Sequence, residues 1–432
     1  MARGDAEPRH ARLSARLSPR SAVLVTGSEL IRGGRQDANG PFLAEELTRL
    51  GLEPARITVV GDEASELEDA IREGLAADLL VISGGLGPTH DDRTVELLAR
   101  ASGLEALVDP ELETEIEDVS RRIAERFNRP YAEFEAGARK QATVPAGGRV
   151  IGIAGTAPGL VVETDGAVAV VLPGPPPELR RLWEAALGDE AVRRVLEKAQ
   201  PPERRVLRTY GVSESAVAQA LAELGGEPEG VQATICAHDG EIWVELFGPA
   251  DGLARSLKDA LGSSVFAEDD RPVEELVLTL ARENGLSIAT AESCTGGLVA
   301  ARLTTVPGGS DVFRGGVVAY ENDVKLAQLR VPEQTIAAHG AVSPETAAAM
   351  AQGARDEVAA HVAVAVTGIA GPGGGTREKP VGLVYLHASA PDLELAWELN
   401  LPGDRDAIRR RATAAALHLL RTLLTQSRHT SE

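Results

Sequence analysis

Aromatic residues are scarce: six Phe, three Trp and four Tyr amount to 3% of 432 residues. A chain so poor in rings has little with which to stack unpaired bases. Positive charge is short as well, 44 Lys and Arg against 65 Asp and Glu for a net charge of −21, so neutralising a nucleic-acid backbone would require few cations gathered in one place. Direct nucleic-acid binding is therefore disfavoured. The two cysteines, Cys236 and Cys294, supply neither a disulfide framework nor a zinc-binding CxxC pair, which fits a reducing cytoplasm. No apolar run approaches the roughly 18 residues of a membrane span; the best candidate, 160–172, is broken by Glu163, Thr164, Asp165 and Gly166. Near the start, Arg3, Arg9, Arg12, Arg16 and Arg20 stand without an apolar h-region, and Asp5 and Glu7 count against a transit peptide. Residues 1–21 read as a disordered basic tail.

What remains is a composition of 43% apolar and 25% charged residues, that of a globular protein long enough for two to four domains at roughly 100–200 residues each. Strand-like apolar runs alternate with helical patterns, which predicts α/β layers with largely parallel sheets. Strands are expected at 22–26, 54–60 and 78–83, with helices at 39–50 and 64–77. Beyond a Pro-rich stretch and Gln200-Pro201-Pro202, residues 204–270 fit a smaller α+β unit without an obvious catalytic cluster. A second α/β unit opens with a helix at 273–284 and a strand at 287–291, and closes with a long helix at 405–424. The expected architecture is two three-layer α/β domains, 22–200 and 272–425, joined by a small α+β middle domain.

The run GGLGPTHDD at 84–92 follows a strand and precedes a helix. Glycines there let backbone N–H groups approach an anion, and a helix start adds partial positive charge. Asp91 and Asp92 oppose a bare phosphate, but paired carboxylates can hold Mg²⁺ or a similar cation that bridges to phosphate oxygens. As a helix cap and a first-turn acid they would need no ligand.

The run AESCTGG at 291–297 sets Ser293, Cys294 and Thr295 at a strand-to-helix turn, where backbone N–H groups can form an oxyanion hole. Ser310 follows in PGGS at 307–310. No histidine lies close to either serine, which leaves Lys325 as the base to consider. A free lysine is neutral in only about one molecule in 2,500 at pH 7, and lowering its pKa by about 3 costs roughly 4 kcal/mol, which desolvation can impose. Lys325 as a solvated helix residue and Cys294 as a small core residue are the plainer alternatives.

In order along roughly 20–190, GSEL at 27–30, Asp37, Asn39, GGLGPTHDD, KQA at 140–142, GTAPG at 155–159 and LPGPP at 172–176 resemble the molybdopterin-binding-like domain of the competence/damage-inducible protein A (CinA) family. Ser28 stands where a threonine is usual, and a hydroxyl is kept. The resemblance implies metal-dependent hydrolysis of ADP-ribose at its pyrophosphate. Gly84, Gly85, Gly87 and Thr89 would then cradle phosphate, Asp91 and Asp92 would hold a divalent cation, and Glu29 or Asp37 would assist.

From 272 to 424, AESCTGG, PGGS, GVVAY at 316–320, Asn322 with Lys325, HGAVS at 339–343, TGIAGPGG at 367–374, KPVG at 379–382 and GDRD at 403–406 resemble the CinA C-terminal domain. That domain is similar to nicotinamide mononucleotide (NMN) deamidases, serine amidohydrolases with a Ser/Lys pair and no cofactor. The resemblance implies Ser310 and Lys325 as the leading dyad with Tyr320 nearby, and Ser293 as the rival nucleophile. Thr295, Gly296, Gly297 and Thr367 would face substrate, and Gly371, Gly373, Gly374 and Arg405 would hold the 5′-phosphate. It also implies a homodimer. Two alternatives are a non-enzymatic accessory protein of competence or DNA recombination, and a first domain that only binds a molybdopterin-type ligand.

Overall fold

The computed structural model describes residues 19–427, so most of the expected basic tail lies outside the described residues. The chain forms two compact units, Met1–Pro202 and Glu203–Glu432.

The first unit is built on a six-stranded sheet in the order Pro54–Val60, Ser21–Thr26, Leu79–Ser83, Val168–Leu172, Ala157–Glu163, Arg149–Ala154. Ser21–Thr26, Leu79–Ser83 and Val168–Leu172 are buried throughout, as continuous apolar runs covered on both faces should be. Alternate residues feed opposite layers. Leu24, Leu80 and Ile82 pack with Leu67, Ile71, Leu97 and Leu98, while Val23, Val25 and Val81 pack with Leu43, Leu47, Leu179 and Trp183. Each fully buried leucine contributes roughly 1.5–3 kcal/mol to holding a helix on its face.

The sheet is parallel only over its first four strands; Ala157–Glu163 pairs antiparallel with both neighbours. The physical reason is the connection. Only Gly155 and Thr156 separate Arg149–Ala154 from Ala157–Glu163, too few residues for the crossover that parallel pairing needs.

The second unit holds two sheets. Gln232–His238, Glu241–Phe247, Arg204–Tyr210 and Val265–Ala267 form an antiparallel sheet covered by helices Glu214–Glu223 and Asp251–Leu261. The larger sheet runs Phe313–Val318, Ile288–Glu292, Val362–Gly368, Leu383–Ser389, Glu394–Asn400, with its last two strands antiparallel. Val362, Val364 and Val366 face the helices Val273–Glu283 and Arg405–Ser427, whereas Ala363 and Ala365 face Pro344–Glu357. Segment 204–270 has its own small core, yet it is fastened to the closing helix. His418 Nε2 lies 2.9 Å from Glu241 Oε1, and the His418 ring stacks on Tyr210 at 3.9 Å. Among the described residues no helix is long and apolar enough to cross a membrane.

Candidate active sites

Strand Ile288–Glu292 ends beside Val362–Gly368, and the Ser293 N–H donates to the Val366 carbonyl at 2.9 Å, which fixes the serine at the carboxyl edge of the sheet. Glu292 turns its carboxylate onto the start of helix Leu298–Thr305, accepting from the N–H groups of Gly297, Val299 and Ala300 at 2.8–3.0 Å. Gly297 is thereby committed to holding the turn, and Gly296 donates to the Ser293 carbonyl at 3.1 Å. Among the described residues the N–H groups of Cys294 and Thr295 meet no carbonyl or carboxylate and approach only the Cys294 thiol, a weak acceptor that a developing oxyanion could displace. The Thr295 hydroxyl is buried without a partner.

Lys325 lies one turn before Leu329 on helix Asn322–Leu329, and both are buried against the sheet. Its Nζ lies 3.2 Å from Ser293 Oγ, 2.8 Å from the Ala319 carbonyl and 3.1 Å from the Tyr320 carbonyl. A neutral amine has two N–H groups and one lone pair. Two carbonyls and one hydroxyl satisfy the three N–H groups of the ammonium, and once the amine is neutral the two carbonyls keep its N–H groups and the lone pair is left for the Ser293 proton. Burial pushes the Lys325 ammonium below its ordinary value, against the opposing charge of Glu321. The same enclosure pushes the Cys294 thiol up to about 12, which keeps it protonated and inert.

Ser310 is not brought to Lys325. It sits exposed in the turn Gly309–Asp311 before strand Phe313–Val318, whose parallel register sets Phe313 beside Ile288 and Val318 beside Glu292. Ser310 therefore lies at the amino edge of the sheet, roughly 17 Å of strand from the Ser293 edge. The serine within hydrogen-bond reach of Lys325 is Ser293, not the Ser310 that the resemblance put first.

Arg405 reaches the same edge from the closing helix, donating from Nη1 to the Gly371 carbonyl at 2.6 Å and from Nη2 to the Tyr320 hydroxyl at 2.8 Å. Gly373 and Gly374 lie on the exposed part of that loop. Thr367 is fully buried and its hydroxyl donates to the Ala341 carbonyl at 2.7 Å. Sequence reasoning missed Glu292, and it missed Arg409, which donates from Nε to the Cys294 carbonyl and from Nη2 to the Thr295 carbonyl at 3.2 and 3.0 Å. Arg409 stands four residues after Arg405 on one helix face, a spacing that was available as a signal.

In the first unit, Thr26, Gly27, Glu29, Asp62, residues 84–88, Asp91, Asp92 and Glu178 line a cavity of about 340 Å³ at the carboxyl ends of the parallel strands. The helix after the glycine run begins at Thr94 with Arg93 at its cap, so neither aspartate caps it. Both carboxylates instead meet the Thr89 hydroxyl, which holds the Asp91 carboxyl below the usual carboxylate range. The run 84–92 is clamped from behind: Gln141 Nε2 donates to the Leu86 carbonyl at 2.9 Å and Lys140 Nζ to that of Thr89. Asp37 accepts the N–H groups of Asn39 and Gly40 at 2.9 and 3.0 Å and starts a helix instead of lining the cavity. Asp62, unforeseen, accepts the Ser28 N–H at 2.8 Å and the Thr26 hydroxyl at 3.1 Å. Among the described residues no three of His, Cys, Asp or Glu group into a metal cage. The donor set still suits Mg²⁺, which binds through one or two carboxylates with water and substrate phosphate.

Residues 22–194 match a family model described as "Probable molybdopterin binding domain", and residues 270–424 match the "CinA C-terminal domain". A CinA-like protein of Mycolicibacterium paratuberculosis strain ATCC BAA-968 / K-10 is 43% identical over 435 residues, covering 95% of this chain and 100% of the relative. One of Mycolicibacterium gilvum strain PYR-GCK is 44% identical, covering 94% and 99%. The crystal structure of a competence/damage inducible protein, CihA, from Agrobacterium tumefaciens matches with 44% identity and a TM-score of 0.35, over 37% of this chain and 99% of that one. The two CinA-like proteins align with this chain over nearly their whole length, and the chain belongs to the CinA-like protein family.

Proposed function

We propose that the unit Glu203–Glu432 hydrolyses the carboxamide of NMN to nicotinic acid mononucleotide and ammonia, with Ser293 as nucleophile and Lys325 as base. The observation that carries this reading is Lys325 Nζ, buried, bonded to two carbonyls and 3.2 Å from Ser293 Oγ. Ser293 Oγ attacks the carboxamide carbon as its proton passes to Lys325 Nζ, and the N–H groups of Cys294 and Thr295 receive the oxyanion. Lys325 returns that proton to the leaving nitrogen, the C–N bond breaks and ammonia departs. Water then attacks the Ser293 ester, giving its proton to Lys325, and the acid is released as Ser293 Oγ takes the proton back. Arg405 beside the Gly371 loop supplies the guanidinium for the 5′-phosphate. Ser293→Ala and Lys325→Ala should each lower ammonia release from NMN by about 10³-fold or more, as loss of a nucleophile or general base does. Ser310→Ala should leave it unchanged; the opposite pattern rejects the assignment.

A second reading, metal-dependent cleavage of the ADP-ribose pyrophosphate by the first unit, is favoured by Glu29, Asp62, Asp91, Asp92 and Glu178 around one cavity behind Gly84, Gly85 and Gly87. A bare pyrophosphate would be repelled there, while a cation held by Asp91 and Asp92 would neutralise its charge. Asp91→Asn with Asp92→Asn should abolish AMP formation from ADP-ribose, and unchanged turnover removes the cation role.

A further inference from the structure

Arg208, on the strand Arg204–Tyr210, is 7% exposed. Its guanidinium carbon lies 4.1 Å from the centre of the Trp243 ring, its Nε has no hydrogen-bond partner, and among the described residues no carboxylate comes within ion-pair distance of it. Buried guanidinium groups are ordinarily paired, because an uncompensated charge away from water is costly.

Arg208 lines a cavity of about 510 Å³ together with Trp243, Pro272, Leu298, Arg302 and Ala414, where the four-stranded sheet meets the closing helix and helix Leu298–Thr305. Acidic residues line it too, but each is already engaged. Both oxygens of Asp270 are held by Arg204 at 2.6 and 2.9 Å, and Glu274 accepts from Arg302 at 2.5 Å. Glu241 meets His418 at 2.9 Å and the Trp243 N–H at 3.0 Å, and Asp239 meets Arg410 at 3.0 Å. Asp270 feels the charge of Arg208, but both its oxygens are already taken by Arg204, so among the described residues Arg208 has no carboxylate of its own within ion-pair distance. Neither Ser293, Lys325 nor Arg405 borders this cavity.

We propose that the cavity binds a small organic anion, its carboxylate or phosphate taken by Arg208 and its apolar body lying against Pro272, Leu298 and Ala414. The volume suits a molecule of metabolite size. A guanidinium fork presents paired N–H donors to two oxygens of such a group, and the surrounding apolar wall strengthens the contact.

The test uses the full chain in isothermal titration calorimetry with phenyl phosphate and benzoate as probes and neutral benzamide as control. The expected result is saturable binding of at least one anion at one site per chain and none of benzamide; which anion binds more tightly names the group recognised. Arg208→Gln should weaken binding roughly tenfold or more, with an unchanged circular dichroism spectrum. Leu298→Trp, which enlarges another lining side chain into the cavity, should do the same and serves if Arg208→Gln fails to fold. Arg405→Ala should bind benzoate as the parent does, since this cavity is not the amide site, and phenyl phosphate, which the Arg405 site would also attract, is titrated in that variant alone. Absence of binding by both anions, equal binding of benzamide, affinity unchanged in both cavity variants, or loss in Arg405→Ala would each overturn the proposal.

Discussion

Arg405 Nη2 donates to the Tyr320 hydroxyl at 2.8 Å, and the carbonyl of the same tyrosine accepts from Lys325. The group expected to hold substrate phosphate is thus one residue removed from the base. Replacing Arg405 by Ala should raise KM for NMN about tenfold or more, the worth of a charge-assisted hydrogen bond, with a smaller change in kcat. Steady-state kinetics decides: a fall confined to kcat would mean that Arg405 acts through Tyr320 alone.

Arg409 touches no reacting atom in this scheme, yet it holds the carbonyls of the two residues that follow the nucleophile. In Arg409→Ala the Cys294 and Thr295 carbonyls lose their donor, and the Thr295 N–H, which shares a peptide unit with the Cys294 carbonyl, loses its orientation. We expect kcat to drop by roughly 10–100-fold with KM nearly constant, as misplacement of a catalytic group by about 1 Å produces. Equal loss in both constants would assign Arg409 to binding instead.

The protonation of Lys325 sets a pH dependence whose sign follows from burial. Its pKa is lowered from an ordinary 10.5, so the free base becomes available below that value and kcat/KM should rise with pH through the lowered pKa. Lys325→Arg should be inactive across the range, since a guanidinium keeps its proton. Stability changes in the same direction. Between the lowered and the ordinary value the unfolded chain binds more protons than the folded one, so stability is gained as pH rises through that interval. Lys325→Met should flatten this slope in chemical denaturation followed at several pH values; a slope that persists belongs to other groups.

Gly85 has φ +65°, and a Cβ there would stand 2.1 Å from Thr94 Oγ1, the hydroxyl that donates to the Gly84 carbonyl at 2.9 Å. Gly85→Ala should cost about 2 kcal/mol or more from the left-handed backbone and the displaced threonine. Thermal unfolding of the first unit measures it, and a melting temperature within error of the parent would show that the turn can be rebuilt.

The sequence carried the layered architecture because the strands are continuous apolar runs and the helices amphipathic, and both periods survive without knowledge of partners. Pairing direction was less legible. Strand Glu394–Asn400 alternates Leu395, Trp397 and Leu399 with exposed Glu394, Ala396, Glu398 and Asn400, a signal for a half-covered edge strand. Lys325 could be singled out because few bases were available, but choosing between Ser293 and Ser310 required knowing at which end of a parallel pair each falls. Their separation along the chain says nothing about that; the register of Ile288 with Phe313 does. Glu292 and Arg409 were hidden for a related reason. A buried carboxylate on a helix start and a guanidinium on two carbonyls act on backbone groups, so residue type alone does not mark them, and for Arg409 the four-residue spacing from Arg405 is the one hint.

The closing helix Arg405–Ser427 meets the Gly371 loop through Arg405, the nucleophile turn through Arg409, and the small sheet through Arg410 and His418. It therefore works as an indexing shaft whose angular settings are fixed in one continuous piece. Inserting a single residue between Arg411 and His418 would rotate everything beyond it by about 100° and advance it about 1.5 Å. Arg405 and Arg409 would keep their stations while His418 swung off Glu241. The length of that stretch is consequently under tighter constraint than the identity of most side chains on it.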